Sequence, residues 1–405
     1  LQEENKQHLK SEPLKVKQNC RLESMALSKT TIQVVKDTAP VIAPLANKIT
    51  SLFYKNMFRN SPEVLKFFNQ ANSASGRQPA ALAHAVVAYA SNIENLDVLG
   101  PAVETMAVKH CGLQVLPEHY PTVEKNLMLA VGEVLGDALT PQIGAAWTDA
   151  VQFLSQVLIT REEELYKAAE ERNGGWRGWQ PFTLAERISI ADDTALFTFN
   201  RSNGNTSPFS FTPGQFMTLR SPAVQAPRHY TIVSPPGETY LQCAVKFVSG
   251  GQMSTYLHNK IQVGDTVKIS PPFGNFTANN ERDAVLISAG VGITPMIAFQ
   301  KSLGDHVKKI IHVDKTSKHH AFVDFQNTAK CERKYFYTKE GVAPYYHVMN
   351  EIADVATIDV GKNTMFYVCA PTAFMKDIEE SLRAKGFSNI HYEAFGPEMA
   401  PHAAM

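Results

Sequence analysis

The sequence predicts three successive domains: an all-α domain, a small antiparallel β-barrel, and an α/β domain built on a parallel sheet. At 405 residues, the chain is too long for a single hydrophobic core. Residues 25–167 show helical spacing of apolar residues throughout, whereas residues 176–281 alternate apolar and polar residues between turns such as SPPG and SGG. Residues 282–405 combine buried strands with intervening helices, the order that produces a parallel sheet with crossover connections.

Composition limits the classes of protein that fit. Hydrophobic residues make up 44% of the chain and charged residues 19%, which is typical of folded globular proteins. The 39 basic and 39 acidic residues balance, so net charge gives no reason to expect nucleic acid or an acidic membrane as a partner. No apolar run approaches the ~18 residues that a membrane span needs. The 5 cysteines are scattered and include no CxxC pair, which indicates reduced thiols in the cytoplasm rather than disulfides or a zinc site.

Two segments lie outside the three-domain pattern. Residues 1–24 carry mixed charges and lack the apolar stretch of a secretion signal, so we interpret them as a disordered leader or an upstream artefact. Residues 168–175 form the predicted linker, which overlaps the stretch ERNGGWRGW with its three glycines.

In the helical domain, the segment LGPAVETMAVKHCGLQVLPEHY places His110 at the end of an apolar helix face that begins at Leu99. Gly112 and Pro117 predict that this helix ends within a few residues of the histidine. An imidazole at the edge of an apolar face suits a proximal haem ligand. A single histidine in such a place is, however, more often an ordinary core residue.

Two other residues add weight to His110. Tyr120 follows it in the sequence, directly before Pro121 at the start of the next helix. Glu162 lies inside the apolar stripe of the last helix, where a carboxylate is costly unless it is paired. A glutamate that accepts the second ring N–H of a metal-bound histidine has such a partner and increases electron density at the metal. The alternative is that Glu162 lies far enough around the helix to reach solvent.

The β-barrel segment contains RHYT at 228–231, a combination of arginine, aromatic ring and hydroxyl that suits a flavin and its diphosphate. On its own, this tetrapeptide is also typical of an ordinary strand. Further along, Gly250 and Gly251 permit close backbone approach to a ligand. Ser254 is predicted to open a short helix whose N-terminus suits a phosphate group.

The α/β segment contains ISAGVGITPM at 287–296, a glycine-rich turn between a buried strand and a helix. Gly290 and Gly292 leave backbone N–H groups open to a phosphate, and Thr294 adds a hydroxyl. Pro295 suits the first turn of the helix that follows. The turn lacks the GxGxxG spacing of the Rossmann dinucleotide fingerprint, so that motif does not describe it.

Residues 25–167 resemble the globin domain of the flavohaemoglobin family, through the stretches LFYKNMF, SPEVLKFF, YASNIENL, VKHCGLQV, PEHY and ITREEELY. The resemblance implies that His110 is the proximal haem ligand and that Tyr120 and Glu162 form a hydrogen-bonded triad with it. It also implies a distal hydroxyl, a distal glutamine, two apolar pocket residues and a lysine that tunes the redox potential. These five are Tyr54, Gln78, Phe68, Leu82 and Lys109.

The remainder of the chain resembles the reductase module of that family, of the ferredoxin–NADP reductase superfamily, through PGQF, RHYT, GDTVKISPPFGNF, GVGITPM and HYEAFGP. The resemblance implies FAD contacts at Phe216, Arg228, His229, Tyr230, Thr231, Gly250, Gly251, Ser254, Phe395, Gly396 and Pro397. It implies NAD(P) contacts at Gly290, Val291, Gly292, Ile293, Thr294, Pro295 and Cys369, and a second redox-tuning residue at Glu393. This chain departs from the family pattern at Thr231, where serine is usual, at Phe216, where tyrosine is usual, and at Ala370, where glycine is usual.

The resemblance implies a nitric oxide dioxygenase, in which NAD(P)H reduces FAD, FAD delivers single electrons to haem b, and nitric oxide and O2 become nitrate. No residue specifies nitric oxide, so an oxygen carrier or sensor and a reductase of another acceptor stay open as alternatives. Lys315 and Lys318 follow a strand where the adenosine ribose is expected and suit a 2′-phosphate, but lysines are common on such surfaces. Either NADH or NADPH therefore fits. We expect a self-sufficient monomer.

Overall fold

The computed structural model describes residues 26–68, 77–340 and 345–395. The segment expected to be a leader, at 1–24, lies outside these ranges. Within them, the predicted order of folds is confirmed: helices come first, an antiparallel sheet follows, and a parallel sheet comes last. No helix in the described ranges is both long enough and apolar enough to cross a membrane.

The N-terminal domain is a set of α-helices around one core. The helices are α1 (Lys29–Ile42), α2 (Ala46–Asn60), α3 (Arg77–Ser91), α4 (Gly100–Leu113), α5 (Tyr120–Leu135) and α6 (Pro141–Glu171), with 3₁₀ segments at Ala43–Leu45, Pro62–Phe67, Leu96–Leu99, Pro117–His119 and Gly136–Ala138. Ser28 and Thr140 cap α1 and α6 by accepting backbone N–H groups of the first turn. The apolar faces meet around Phe53, Met57 and Trp147, all almost fully buried.

The last helix is longer than the sequence predicts. Helix α6 continues through Glu171 and so occupies the first part of the segment 168–175 that was expected to be a linker. Tyr166 and Ala169 are buried on the face of this last stretch. Packing of that face stabilises helical structure beyond the point where local composition alone would end it.

The second domain is an antiparallel barrel-like sheet. Its strands are β1 (Gln180–Ala191), β2 (Thr194–Arg201), β3 (Phe216–Arg220), β4 (Arg228–Thr231), β5 (Tyr240–Lys246) and β6 (Thr266–Ile269), and α7 (Gln252–Asn259) lies between β5 and β6. The strand order is β4-β3-β6-β1-β2-β5. Inward side chains such as Phe182, Phe197 and Leu219 fill the core, and Trp176 packs with them.

The third domain is a parallel sheet with helices on both faces. Its elements are β7 (Ala284–Ala289), α8 (Ile293–Leu303), β8 (Val307–Asp314), α9 (Val323–Asn327), β9 (Glu332–Tyr337), α10 (Tyr345–Thr357), β10 (Met365–Cys369), α11 (Thr372–Ala384) and β11 (Ile390–Glu393), with 3₁₀ turns at Gly290–Gly292, Gly304–His306 and Ser317–His319. The strand order is β11-β10-β7-β8-β9. From β7 the chain adds strands on one side as far as β9 and then adds β10 and β11 on the other side. The carboxyl ends of β7 and β10 therefore border the crevice where α/β sheets bind ligands.

The helical domain packs directly on the antiparallel sheet. A small apolar cluster joins Val108 and Cys111 of α4 to Tyr166 of α6, Phe216 of β3 and the loop residue Phe273. The rings of Tyr166 and Phe273 meet edge to face, with centroids 5.9 Å apart. The helix that carries His110 is therefore in contact with the strand that carries a predicted flavin residue.

Candidate functional site

His110, Tyr120 and Glu162 come together inside the helical domain. The Nδ1 atom of His110 lies 2.7 Å from Oε1 of Glu162, and the Tyr120 hydroxyl donates to the same oxygen at 2.5 Å. Glu162 is 2% exposed, so it does not reach solvent. Burial and the nearby carboxylate raise the pKa of Tyr120 far above its usual value, so its hydroxyl stays protonated and donates.

The opposite edge of the His110 ring is available to a ligand. The side chain is 30% exposed, and its Nε2 atom has no hydrogen-bond partner within the described residues. A proton on Nδ1, held by the carboxylate, leaves the Nε2 lone pair free for a metal. The arrangement fits a haem iron on the Nε2 side.

An ion pair between two helices fixes the position of Glu162. Arg161 on α6 binds Glu104 on α4 through two bonds, at 2.6 Å from Nε and 3.0 Å from Nη2. This bidentate pair holds α6 against α4 next to the triad. Helix α4 ends soon after His110, because Gln114 adopts a left-handed conformation with φ of 60°.

The predicted distal residues also lie together. Tyr54 on α2 is 8% exposed, and its hydroxyl shares a hydrogen bond with the Gln78 side chain. The Tyr54 ring meets Phe68 edge to face at 5.7 Å, and Leu82 packs against the same apolar core. Burial raises the pKa of Tyr54 well above its usual value, so the phenol stays a hydrogen-bond donor.

The predicted flavin residues on β3 and β4 divide between two faces of the sheet. Phe216 pairs with Thr231 and Thr218 pairs with His229, so these four residues share one face. The Phe216 and His229 rings lie 4.4 Å apart, and His229 Nδ1 lies 2.7 Å from the Thr218 hydroxyl. Burial lowers the pKa of His229 to about 3, so its imidazole is neutral near pH 7.

The other face of β4 carries Arg228 and Tyr230. Tyr230 packs against the barrel core. The Arg228 guanidinium donates to the carbonyl oxygens of Ala226 and Pro227, at 3.1 and 2.8 Å, and has no salt bridge within the described residues. Burial lowers the pKa of this arginine, and an anionic ligand would offset that cost. A half-buried cation without a carboxylate partner fits a diphosphate.

A cleft of about 510 Å³ opens beside the predicted phosphate segment. Gly250 and Gly251 line it together with Thr255 at the start of α7 and the cation of Lys260. Gly250 has φ of 77°, which a side chain would disfavour. The glycines, the helix N-terminus and the lysine form surroundings that suit phosphate.

The expectation that Ser254 opens the helix is wrong. Helix α7 begins at Gln252, after Gly251, and Ser254 lies in its first turn. The Ser254 hydroxyl accepts the backbone N–H of Val248 at 3.2 Å. The serine therefore closes the preceding loop onto the helix, through a contact between a side chain and the backbone that spacing along the sequence does not reveal.

The predicted pyridine-nucleotide residues meet at the carboxyl ends of β7 and β10. Gly290 has φ of 54°, and a β-carbon on Gly292 would lie 2.0 Å from the carbonyl oxygen of Cys369. The turn therefore approaches β10 more closely than any side chain allows. Thr294 donates to the carbonyl of Val291 at 3.1 Å, so its hydroxyl braces the turn. The rest of the predicted set, Ile293 and Pro295, is buried at the start of α8.

Lys109 and Glu393 lie within electrostatic reach of each other, although they belong to the first and third domains. Burial raises the pKa of the Glu393 carboxyl, and the positive charge of Lys109 partly offsets the rise. Phe395, at the end of the described chain, is 49% exposed. The predicted flavin residues Gly396 and Pro397 lie outside the described residues.

Two residues at the domain boundary were not predicted as functional. Gly112 was interpreted only as a helix-ending signal; it lies in the last turn of α4, and a β-carbon added to it would lie 2.7 Å from Cε2 of Phe216. Arg172 donates to the side chain of Gln215 in the barrel at 3.1 Å. For Gly112 the sequence did offer a signal, because a glycine within a helical pattern indicates close packing. For Arg172 no local sequence pattern indicates its contact with the barrel.

Comparison with known proteins agrees with this arrangement. Residues 51–158 match the globin family, and residues 181–278 match the family described as oxidoreductase FAD-binding domain. The fold and site thus define a globin joined to a flavin-dependent reductase. The chain belongs to the flavohemoprotein family. It is 34% identical to a flavohemoprotein of Bacillus subtilis over 399 residues (92% of this chain, 98% of the relative) and 35% identical to one of Rhizobium meliloti over 405 residues (92% and 99%).

A solved structure shows the same architecture. The crystal structure of flavohemoglobin from Malassezia yamatoensis, which has bound FAD and heme, superposes with a TM-score of 0.79 at 27% sequence identity. The superposition covers 91% of this chain and 100% of that protein. The likeness therefore includes the helical domain and both reductase domains.

Proposed function

We propose that this chain oxidises nitric oxide with O2 to nitrate, using NAD(P)H electrons that pass through FAD to haem. Haem supplies, when bound, the iron at which the two gases react, and FAD links a two-electron hydride donor to a one-electron acceptor. The observation that carries the proposal is the buried triad of His110, Tyr120 and Glu162. As a flavohemoprotein with a FAD-binding oxidoreductase domain, the chain is an NAD(P)H-dependent oxidoreductase.

The triad supports oxygen chemistry more than reversible carriage. Glu162 is a buried anion that accepts the proton on Nδ1 of His110. This bond gives the ring partial imidazolate character and increases its basicity at Nε2. A more basic proximal ligand favours reaction of O2 over its release. Tyr120 holds the same carboxylate oxygen and so fixes the orientation of Glu162.

The distal side supports the same conclusion. The Tyr54 phenol stays protonated, so it could donate a hydrogen bond to negative charge on a haem-bound ligand. Gln78 shares a hydrogen bond with that hydroxyl and orients it. Phe68 packs against the Tyr54 ring and Leu82 against the same apolar core, and this apolar surface excludes water and strengthens the electrostatic effect of the donor.

The reductase domains support an internal source of electrons. Arg228 and the cleft beside Gly250 suit the diphosphate of FAD, and the Gly290–Gly292 turn suits the phosphates of NADH or NADPH. All three functional domains lie in one chain, so we propose that a monomer is sufficient. We also propose a cytoplasmic location, where the free thiols of the described cysteines stay reduced.

The test is the consumption of NADH or NADPH by the purified holoprotein in air, before and after nitric oxide is added. We expect nitric oxide to accelerate consumption and nitrate to form in proportion to it. Absence of acceleration and of nitrate would rule out the dioxygenase. Slow consumption with reversible O2 uptake would favour carriage, and rapid turnover with ferric iron or a quinone instead would favour a reductase of that acceptor. In His110→Ala, we expect the haem spectrum and the activity to be lost.

A further inference from the structure

Helix α4 contacts strands β3 and β4, which carry predicted flavin residues, at Gly112. A β-carbon on Gly112 would lie 2.7 Å from Cε2 of Phe216, 2.9 Å from Cε1 of His229 and 3.1 Å from Oγ1 of Thr218. Nonbonded carbon atoms separate by about 3.5–4.0 Å, so no side chain fits at this position without movement. We call these four residues the seam.

The seam and the proximal ligand lie on opposite sides of the same helix. Residues of an α-helix are separated by about 100°, so Gly112 lies about 200° around the axis from His110. The His110 ring is directed to Glu162 and Tyr120, within the helical domain. Gly112 is buried against β3 and β4 of the next domain. Helix α4 is thus a direct structural link between the proximal ligand and the flavin strands.

The rings of the seam are held in place from several sides. The Phe216 ring packs against His229 at a tilt of 42°, with centroids 4.4 Å apart, and the Phe216 backbone pairs with Phe273, at 2.7 and 2.9 Å. His229 is tied to Thr218, which is fully buried. An added methyl group at Gly112 must therefore displace the rings, or push α4 away from the sheet.

We propose that Gly112 is a positioning residue for electron transfer from flavin to haem. Its missing side chain lets α4 lie against Phe216 and His229, and this contact sets the separation and orientation of the two redox groups. The role rests on the electron path in the proposed function but does not depend on nitric oxide as the substrate. Normal haem reduction without nitrate formation would therefore overturn the proposed function and leave this role intact.

The experiment compares Gly112→Ala with wild type in the full-length holoprotein. Anaerobic mixing with NADH resolves flavin reduction and haem reduction as separate absorbance changes. We expect flavin reduction to keep its rate and haem reduction to slow about 10-fold, below the ~10²-fold that a 1 Å misplacement can cost. Hydrogen exchange should also become faster at the amides of α4 and β3 that border the seam.

Gly132→Ala is the matched control. Gly132 also lies within a helix of the same domain, but its β-carbon would meet only Leu139, at 3.7 Å, which is an ordinary contact. This variant should reduce haem at the wild-type rate. A second variant, Gly112→Ala with Phe216→Leu, removes the ring atom nearest to the added methyl group. In that background the Ala substitution should slow haem reduction much less than it does in wild type.

Three outcomes would overturn the proposal. The first is equal slowing of flavin and haem reduction, which would locate the effect in the flavin site. The second is loss of bound haem or a shifted haem spectrum in Gly112→Ala, which would locate it at His110. The third is an effect of the Ala substitution that is the same with and without Phe216→Leu, which would exclude the steric contact with Phe216 as its cause.

Discussion

Replacement of Glu162 by glutamine tests the triad most directly. Gln keeps the size of the side chain and one carbonyl oxygen, so the bonds from His110 and Tyr120 can persist. It removes the negative charge of the carboxylate, whose Oε1 atom lies 2.7 Å from Nδ1 of His110 and 2.5 Å from the Tyr120 hydroxyl. Since Glu162 is 2% exposed, solvent screens little of that charge. The substitution therefore changes electrostatics at the proximal ligand with little change in shape.

The expected magnitude follows from the hydrogen bond to His110. A bond to a charged group contributes about 1.5–3 kcal/mol, against about 0.5–1.5 kcal/mol for a neutral pair, so the loss is roughly 1–1.5 kcal/mol. For a one-electron couple this corresponds to about 43–65 mV. An anionic partner stabilises the more positive ferric state. Its loss should therefore raise the haem reduction potential by this amount and slow the reaction of O2.

The assay is spectroelectrochemical titration of the haem in the full-length protein. Glu163→Gln is the matched control, because the same change is made one residue away on an exposed carboxylate that pairs with Arg177. We expect the control to keep the wild-type potential. A potential in Glu162→Gln equal to that of the control, or lower than wild type, would refute the reasoning.

Three other predictions concern separate parts of the chain. Tyr54→Phe removes a buried donor worth roughly 1.4 kcal/mol and should speed O2 dissociation about 10-fold by flash photolysis; an unchanged rate would exclude Tyr54 as the donor. Gly292→Ala forces a methyl group onto the Cys369 carbonyl. It should lower the free energy of unfolding of the reductase domains by about 1–3 kcal/mol, seen as a lower Tm, and raise the KM for NADH. An unaltered Tm together with an unaltered KM would contradict the close approach. Burial lowers the pKa of His320 from 6.5 to about 4, so the unfolded chain binds the proton more tightly than the folded chain does. The free energy of unfolding of the reductase domains should therefore fall by about 3 kcal/mol as pH falls from 6.5 to 4. His320→Gln should show a smaller loss over that interval in urea unfolding, and an identical pH dependence would contradict burial of the neutral ring.

Local patterns were sufficient for the order of folds, because helical and strand spacing differ in period and each domain here has one dominant period. They were also sufficient to select Glu162 as unusual, since a carboxylate in an apolar stripe requires a partner. They were insufficient at Ser254, whose hydroxyl bonds to the backbone of Val248, and at Glu171, where packing extends a helix. Both outcomes depend on contacts with residues that the local pattern does not include.

Residue types and their spacing along the chain were enough to predict the three-domain order, the family resemblance and the candidate residues. Tertiary structure alone decided which of those residues meet. Tyr120 and Glu162 are 42 residues apart in sequence and share one hydrogen bond. Gly112 was interpreted from sequence as an end signal, and helix α4 does end at the next residue, but the same glycine is also the contact between the proximal helix and the flavin strands. Such contacts depend on how helices and sheets from different domains pack, which no periodicity within one element specifies.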